Sequence, residues 1–515
     1  MTVDVAIRHG LVVDGTGAEP VRADVALAGG RVVQVGGEVP AAAKELDAGG
    51  RVVAPGFIDI HSHSDYTLLV DPRAVSAIHQ GVTTEVVGNC GFGCFPIRDP
   101  SLAGNAIYGF RSDLPLTWSS ADEYFSVLAA ARPAVNVASL VPNGQLRLSV
   151  VGLEERAARS EEVHEMQRLL EESLEQGAWG YSTGLEYAAE RGATEDELVE
   201  LCSVCARHGG LYATHTRNRD GASAEAVAEA VRTAERAAAR LQVSHLVPRD
   251  GLESARRCVE HVEGARARGV DAAFDMHTRR YGTTYLRSAL PPWALDAPEL
   301  LRDRSARERM KGYTSILSAG DDWSRVVVLD NDVWPDYSRR DLAEIARERG
   351  QEPLDAVYDL LAADDASGLM VIIRCYTEEQ QREAFGHPLC VPGSDATTLA
   401  PDGPLGSSVF HGAYTWAAWF LRFVVREQRV LGLAEAVGRL TSAPAERVGL
   451  PDRGVLRPGA HGDIVVFDAD RIEERGTTFE PNRLATGVTD VLVNGVVTLR
   501  DGRLTGDRAG ALLRR

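Results

Sequence analysis

"GFIDIHSHSD", residues 56–65, runs an apolar segment into two histidines one residue apart and then an aspartate. Phe57-Ile58-Asp59-Ile60 reads as a buried strand, because short apolar runs bounded by turn residues pack as strands in a core. A buried strand ending in His61, His63 and Asp65 delivers polar side chains to one place. The fold follows from asking whether other strands end the same way.

They do. Apolar pieces followed by helical patterns recur through the middle of the chain. The helical patterns include EEVHEMQRLLEESLEQGAW (161–179) and SAEAVAEAVRTAERAAAR (223–240). Strand candidates end near residues 61–63, 86–91, 140–144, 181–187, 212–218, 242–248, 273–278 and 389–395. Eight strands joined by helices predict an α/β fold, a (β/α)8 TIM-type barrel, over residues 56–450. The gap at about 280–388 is too long for a plain connection and must hold an insertion. Residues 1–55 and 451–515 carry short β-like pieces broken by glycine turns, as in VDVAIRHGLVVDG (3–15) and VTDVLVNGVVTLRDGRL (488–504). They predict one small β domain formed by both chain ends.

In such a barrel, chemistry sits at the C-terminal ends of the strands. Those ends supply His61, His63, Cys90, His215, His245 and Asp395. Imidazole, thiolate and carboxylate together suit zinc. Bound zinc activates water and polarises a carbonyl, and a nearby carboxylate can carry the proton to a leaving nitrogen. Any one such histidine is more often a hydrogen-bonded structural residue; six such groups in register are not. Cys94, Cys258, Cys375 and Cys390 read as structural, and Cys202-x-x-Cys205 as core-facing, since it lies in a helical pattern with no second pair.

Composition narrows the partners. Among 515 residues, 55 are basic and 74 acidic, a net charge of −19. That excess argues against nucleic acid or an anionic membrane surface and leaves a small-molecule substrate. No stretch approaches the ~20 apolar residues of a membrane span. The N-terminus reads as a strand, not a signal peptide. Seven scattered cysteines favour a reducing, cytoplasmic compartment. Only two lysines occur, Lys44 and Lys311.

PGFIDIHSHSD, GVTTEVVGNCG, STGLEY, THTRN, SHL, GSDA and the terminal GRLTGDRAGALLRR together resemble the amidohydrolase superfamily, and within it the N-acyl-D-amino-acid deacylase (D-aminoacylase) family. The resemblance spans nearly the whole chain in the family's order. It implies an amide hydrolase in which Cys90, His215 and His245 hold one zinc tightly. His61 and His63 would line a weaker second position, with Cys90 bridging the two. Asp395 would be a metal ligand and the catalytic acid/base, and Tyr187 would polarise the substrate carbonyl. Dihydroorotases and hydantoinases bridge their metals with a carboxylated lysine; neither lysine here lies at a strand end.

The substrate shell departs from the family. Val247 stands where a lysine usually holds the substrate's α-carboxylate, and Val409 aligns with an arginine of the same task. His277-Thr278-Arg279-Arg280 replaces Tyr-Pro-Tyr-Thr, Asn143 replaces a histidine, and Arg219 replaces an acidic residue. A carboxylate left without a cation in a dry pocket is costly. Three readings follow. The favoured one is an amide hydrolase with an altered carboxylate site, its substrate neutral at that end; the alternatives are an ordinary deacylase with the carboxylate taken over by Arg217, Arg219, Arg279 or Arg280, and a non-catalytic barrel scaffold. Asn143, Arg217, Val247, His277, Arg279, Arg280 and Val409 are the candidate substrate contacts.

Overall fold

The structure, a computed structural model, describes residues 3–111, 113–295, 297–318, 321–364 and 366–515. Eight parallel strands lie in sequence order around a barrel: Phe57–Asp59, Val82–Val87, Asn136–Pro142, Gly180–Gly184, Leu211–His215, Arg240–Val243, Ala272–His277 and Cys390–Gly393. We call them barrel strands one to eight. A bridge between Ser62 and Ala396 joins the ends of strands eight and one. His63 N donates to Ala396 O at 2.8 Å and Asp395 N to His61 O at 2.8 Å along this seam. The (β/α)8 expectation is met.

Period-two alternation sorts the strand residues. Leu211 and Ala213 join an apolar cluster with Ile58, Val86, Leu140 and Val391, whereas Tyr212 joins the larger core beneath the helices. The helices read from sequence lie at Ser160–Glu175 and Ser223–Ala237. The second buries Ala226, Val227, Ala230, Val231, Ala234 and Ala237, a helical stripe of small residues that seats it closely.

The two chain ends share one nine-stranded sheet. Its junction is Val52–Pro55, which pairs antiparallel with Ile464–Phe467. The last residues leave that sheet for the barrel: Trp179 Nε1 donates to Leu513 O at 2.7 Å, and Leu513 N to Val137 O at 2.8 Å. Between strands seven and eight lies a three-stranded antiparallel sheet of Tyr281–Tyr285, Met370–Arg374 and Val326–Val328. It has its own apolar core, including Leu301, Met310, Trp323 and Tyr358. Among the described residues, no helix is long and apolar enough to cross a membrane.

Candidate metal centre

Five of the eight strands place a donor at or just beyond their C-terminal end. His61 follows strand one by two residues, and its Nε2 lies 3.2 Å from Cys90 Sγ. Cys90 Sγ lies 3.4 Å from His245 Nε2. His63 Nε2 lies 3.3 Å from Asp395 Oδ1. Two groups result, His61–His63–Cys90–Asp395 and Cys90–His215–His245, each with its donor atoms within 4.8 Å of one another. Cys90 belongs to both. All six expected strand-end residues therefore converge. Two nitrogen-and-thiolate clusters of this size fit metal ions, and the donor types match those zinc accepts.

The Cys90 loop is bent by its glycines. Gly88 has φ +81°, and a Cβ there would fall 2.3 Å from Leu140 O; a Cβ on Gly91 (φ +71°) would strike Glu190 Oε1. Cys90, His245 and Asp395 themselves have φ of 53°, 33° and 45°. Three rim residues thus sit in the left-handed region that side chains avoid, as backbones at functional sites often do.

Electrostatics divide the six donors: burial works to lower His61, but the neighbouring Cys90 and Asp275 outweigh it and raise its imidazole well above the usual range. Burial lowers His63 and His215, and burial with Arg219 nearby lowers His245 well below the usual range, so these imidazoles are neutral. Burial pushes the Cys90 thiol up to about 11 against the pull of His61. Burial also works to raise Asp395, but the hydrogen bond with His63 and the charge of Arg279 outweigh it and hold the carboxylate ionised. Tyr187 is raised by burial and stays a phenol; its oxygen lies 3.5 Å from His215 Nδ1.

Several buried groups orient this rim, and the sequence did not single them out for that task. Asp275 Oδ1 accepts from His61 Nδ1 at 2.9 Å and from His245 N at 2.8 Å. Glu186 Oε2 pairs with His215 Nε2 at 2.8 Å. The Tyr108 ring stacks on His63 at 5.1 Å. Their signals were only a carboxylate inside strand seven, the glutamate of STGLEY and a lone tyrosine in a loop.

The candidate substrate contacts divide. Arg279 donates from Nη2 to Asp395 Oδ2 at 2.9 Å, and His277 Nε2 lies 4.0 Å from the same oxygen. Arg219 Nη2 donates to His245 O (2.7 Å), Val247 O (3.1 Å) and Tyr376 OH (2.6 Å). Asn143 Nδ2 bonds Glu190 Oε2 at 2.7 Å. Val247 is buried in the main core, and Val409 is exposed. Arg217 and Arg280 have partners of their own away from the metal donors. Arg217 is held by Glu229 and the carbonyls of Arg191 and Ala193. Arg280 pairs with Glu378 at 3.6 Å with its side chain 62% exposed.

The amidohydrolase family profile matches residues 44–499. The N-acyl-D-glutamate deacylase of Alcaligenes xylosoxydans xylosoxydans is 33% identical over 465 residues, covering 90% of this chain and 86% of that protein. The D-aminoacylase of the same organism is 31% identical over 473 residues, covering 90% and 87%. The crystal structure of N-acyl-D-glutamate deacylase from Bordetella bronchiseptica, complexed with zinc and a phosphonate inhibitor, superimposes with a TM-score of 0.83 at 31% identity and full coverage of both chains.

Proposed function

The chain belongs to the amidohydrolase family, and from that premise we propose that it hydrolyses the N-acyl carbon–nitrogen bond of a small molecule with metal-activated water. The observation that carries the reading is the pair of donor clusters sharing Cys90 at the mouth of the barrel. Cys90, His215 and His245 would hold one zinc tightly, and His61 and His63 a second weakly. Three protein ligands leave a position open, which a catalytic zinc needs. Zinc supplies Lewis acidity and a nucleophilic water at neutral pH. Asp395, ionised and seated between His63 and Arg279, would take the proton and return it to the leaving nitrogen. The Tyr187 phenol would donate to the acyl oxygen.

Of the substrate readings, one observation favours the deacylase with relocated arginines. Arg219 donates to the backbone carbonyl of Val247, so a buried guanidinium lies beside the position where the family carries its lysine. Arg279 is the second buried cation beside the rim. Either could face a carboxylate that the two valines could not. The scaffold reading gains nothing from six retained donor residues in contact.

Zinc-loaded protein should be assayed against N-acyl-D-amino acids, their C-terminal amides and cyclic imides. Turnover of an N-acyl-D-amino acid, abolished by chelation and restored by zinc, is the expected result. Full zinc occupancy with no turnover of any of the three classes would refute the proposal.

A further inference from the structure

Two buried charges beside the rim have no part in the chemistry above. Glu186 follows strand four and Arg249 follows strand six. Glu186 Oε2 accepts from His215 Nε2 at 2.8 Å, while its Oε1 accepts from Arg249 Nη2 at 2.6 Å and from Arg219 N at 3.2 Å. Arg249 is forked in turn onto Asp220, with Nη2 2.7 Å and Nε 3.1 Å from Oδ2. Its side chain is 4% exposed and that of Glu186 10%. The chain His215–Glu186–Arg249–Asp220 thus ties together the loops after strands four, five and six.

The consequence for His215 is geometric. An ionised Glu186 on Nε2 fixes the proton there and leaves Nδ1 as the lone-pair nitrogen. We propose that Glu186, clamped by Arg249, is the positioning residue that sets the metal affinity of the Cys90–His215–His245 group. It rests on the reading that this group holds the metal. The physical basis is that a carboxylate on the distal nitrogen of a ligating histidine fixes tautomer and ring orientation and raises the ring's basicity. The clamp matters because a lone glutamate on a loop would have rotamers to lose; the arginine fork removes that freedom. His61 has a similar partner in Asp275, but Asp275 lies within a strand and is held by the sheet.

The test is a competition titration of zinc against a chromophoric chelator, run on wild type, Glu186→Gln, Glu186→Ala and Arg249→Met, with melting of each metal-free protein alongside. Zinc affinity should fall about 10- to 100-fold in Glu186→Ala. The fall should be smaller in Glu186→Gln, which keeps an acceptor oxygen, with metal-free melting close to wild type in that variant. Should Arg249→Met fail to fold, the two Glu186 variants carry the test alone. Wild-type zinc affinity in both Glu186 variants would overturn the proposal while leaving the metal reading intact. Failure of the wild type to take up zinc would overturn the metal reading itself.

Discussion

Replacing Arg219 by methionine tests how the substrate is recognised. Arg219 is buried, its Nη2 is shared among three acceptors, and its Nε meets none. A substrate carboxylate reached by this guanidinium would gain one charge-assisted hydrogen bond, worth about 1.5–3 kcal/mol. At about 1.4 kcal/mol per tenfold, that is roughly a 10- to 150-fold change in kcat/KM. Arg219→Met also removes the supports under His245 O and Val247 O, so its raw activity mixes two effects. The ratio of kcat/KM for an N-acetyl-D-amino acid to that for its C-terminal amide separates them, because lost support for His245 weakens both substrates alike. We expect the ratio to fall by the stated factor, mostly through KM for the acid. A ratio within threefold of wild type would show that Arg219 reads no carboxylate. If Arg279→Met also leaves it unchanged, the substrate is neutral at that end.

Other outcomes follow from the same geometry. Cys90→Ala removes the one donor common to both clusters, so elemental analysis should find zinc lost; full occupancy in that variant would remove Cys90 from the ligand set. Asp395→Asn should keep zinc yet turn over about 10²–10⁴ times more slowly, and a near-normal rate would exclude it as acid/base. Burial, with the Asp59 charge beside it, pushes Glu85 up to about 8, above its ordinary 4.5. The folded protein therefore holds that proton longer than the unfolded chain. The stabilisation is complete below about pH 4.5 and is lost as pH rises through about 8. Glu85→Gln should flatten the melting-temperature profile across that window, by the equivalent of about a few kcal/mol; an unchanged slope would contradict the burial argument.

The barrel and its six rim donors were legible because strand ends are read from local pattern alone. An apolar run sets the strand, its last residues face the rim, and no long-range information is needed. What stayed hidden depends on distant partners. Asp275 lies 214 positions from the His61 it orients, and nothing around residue 61 announces it. Arginines are harder still. Residues 217, 219, 279 and 280 look equivalent in a string of letters, but a long side chain follows whichever carboxylate or carbonyl packing brings near. Glu229 claims Arg217, solvent and Glu378 claim Arg280, and only Arg219 and Arg279 remain at the rim. Which arginines stay near the rim is therefore decided by tertiary competition that sequence spacing does not encode.

The seam between strands one and eight has a consequence for how activity arises during synthesis. The bonds His63 N to Ala396 O and Asp395 N to His61 O join residues more than 330 positions apart. The same short stretch closes the cylinder and sets Asp395 against His63. A nascent chain that has emerged as far as strand seven already owns Cys90, His215 and His245, yet it has neither the seam nor Asp395. With the proposed ligand set, such a chain would hold the three metal donors while being chemically silent. On the proposed roles, hydrolysis would await the final stave of the barrel, and a product truncated before it would be inert.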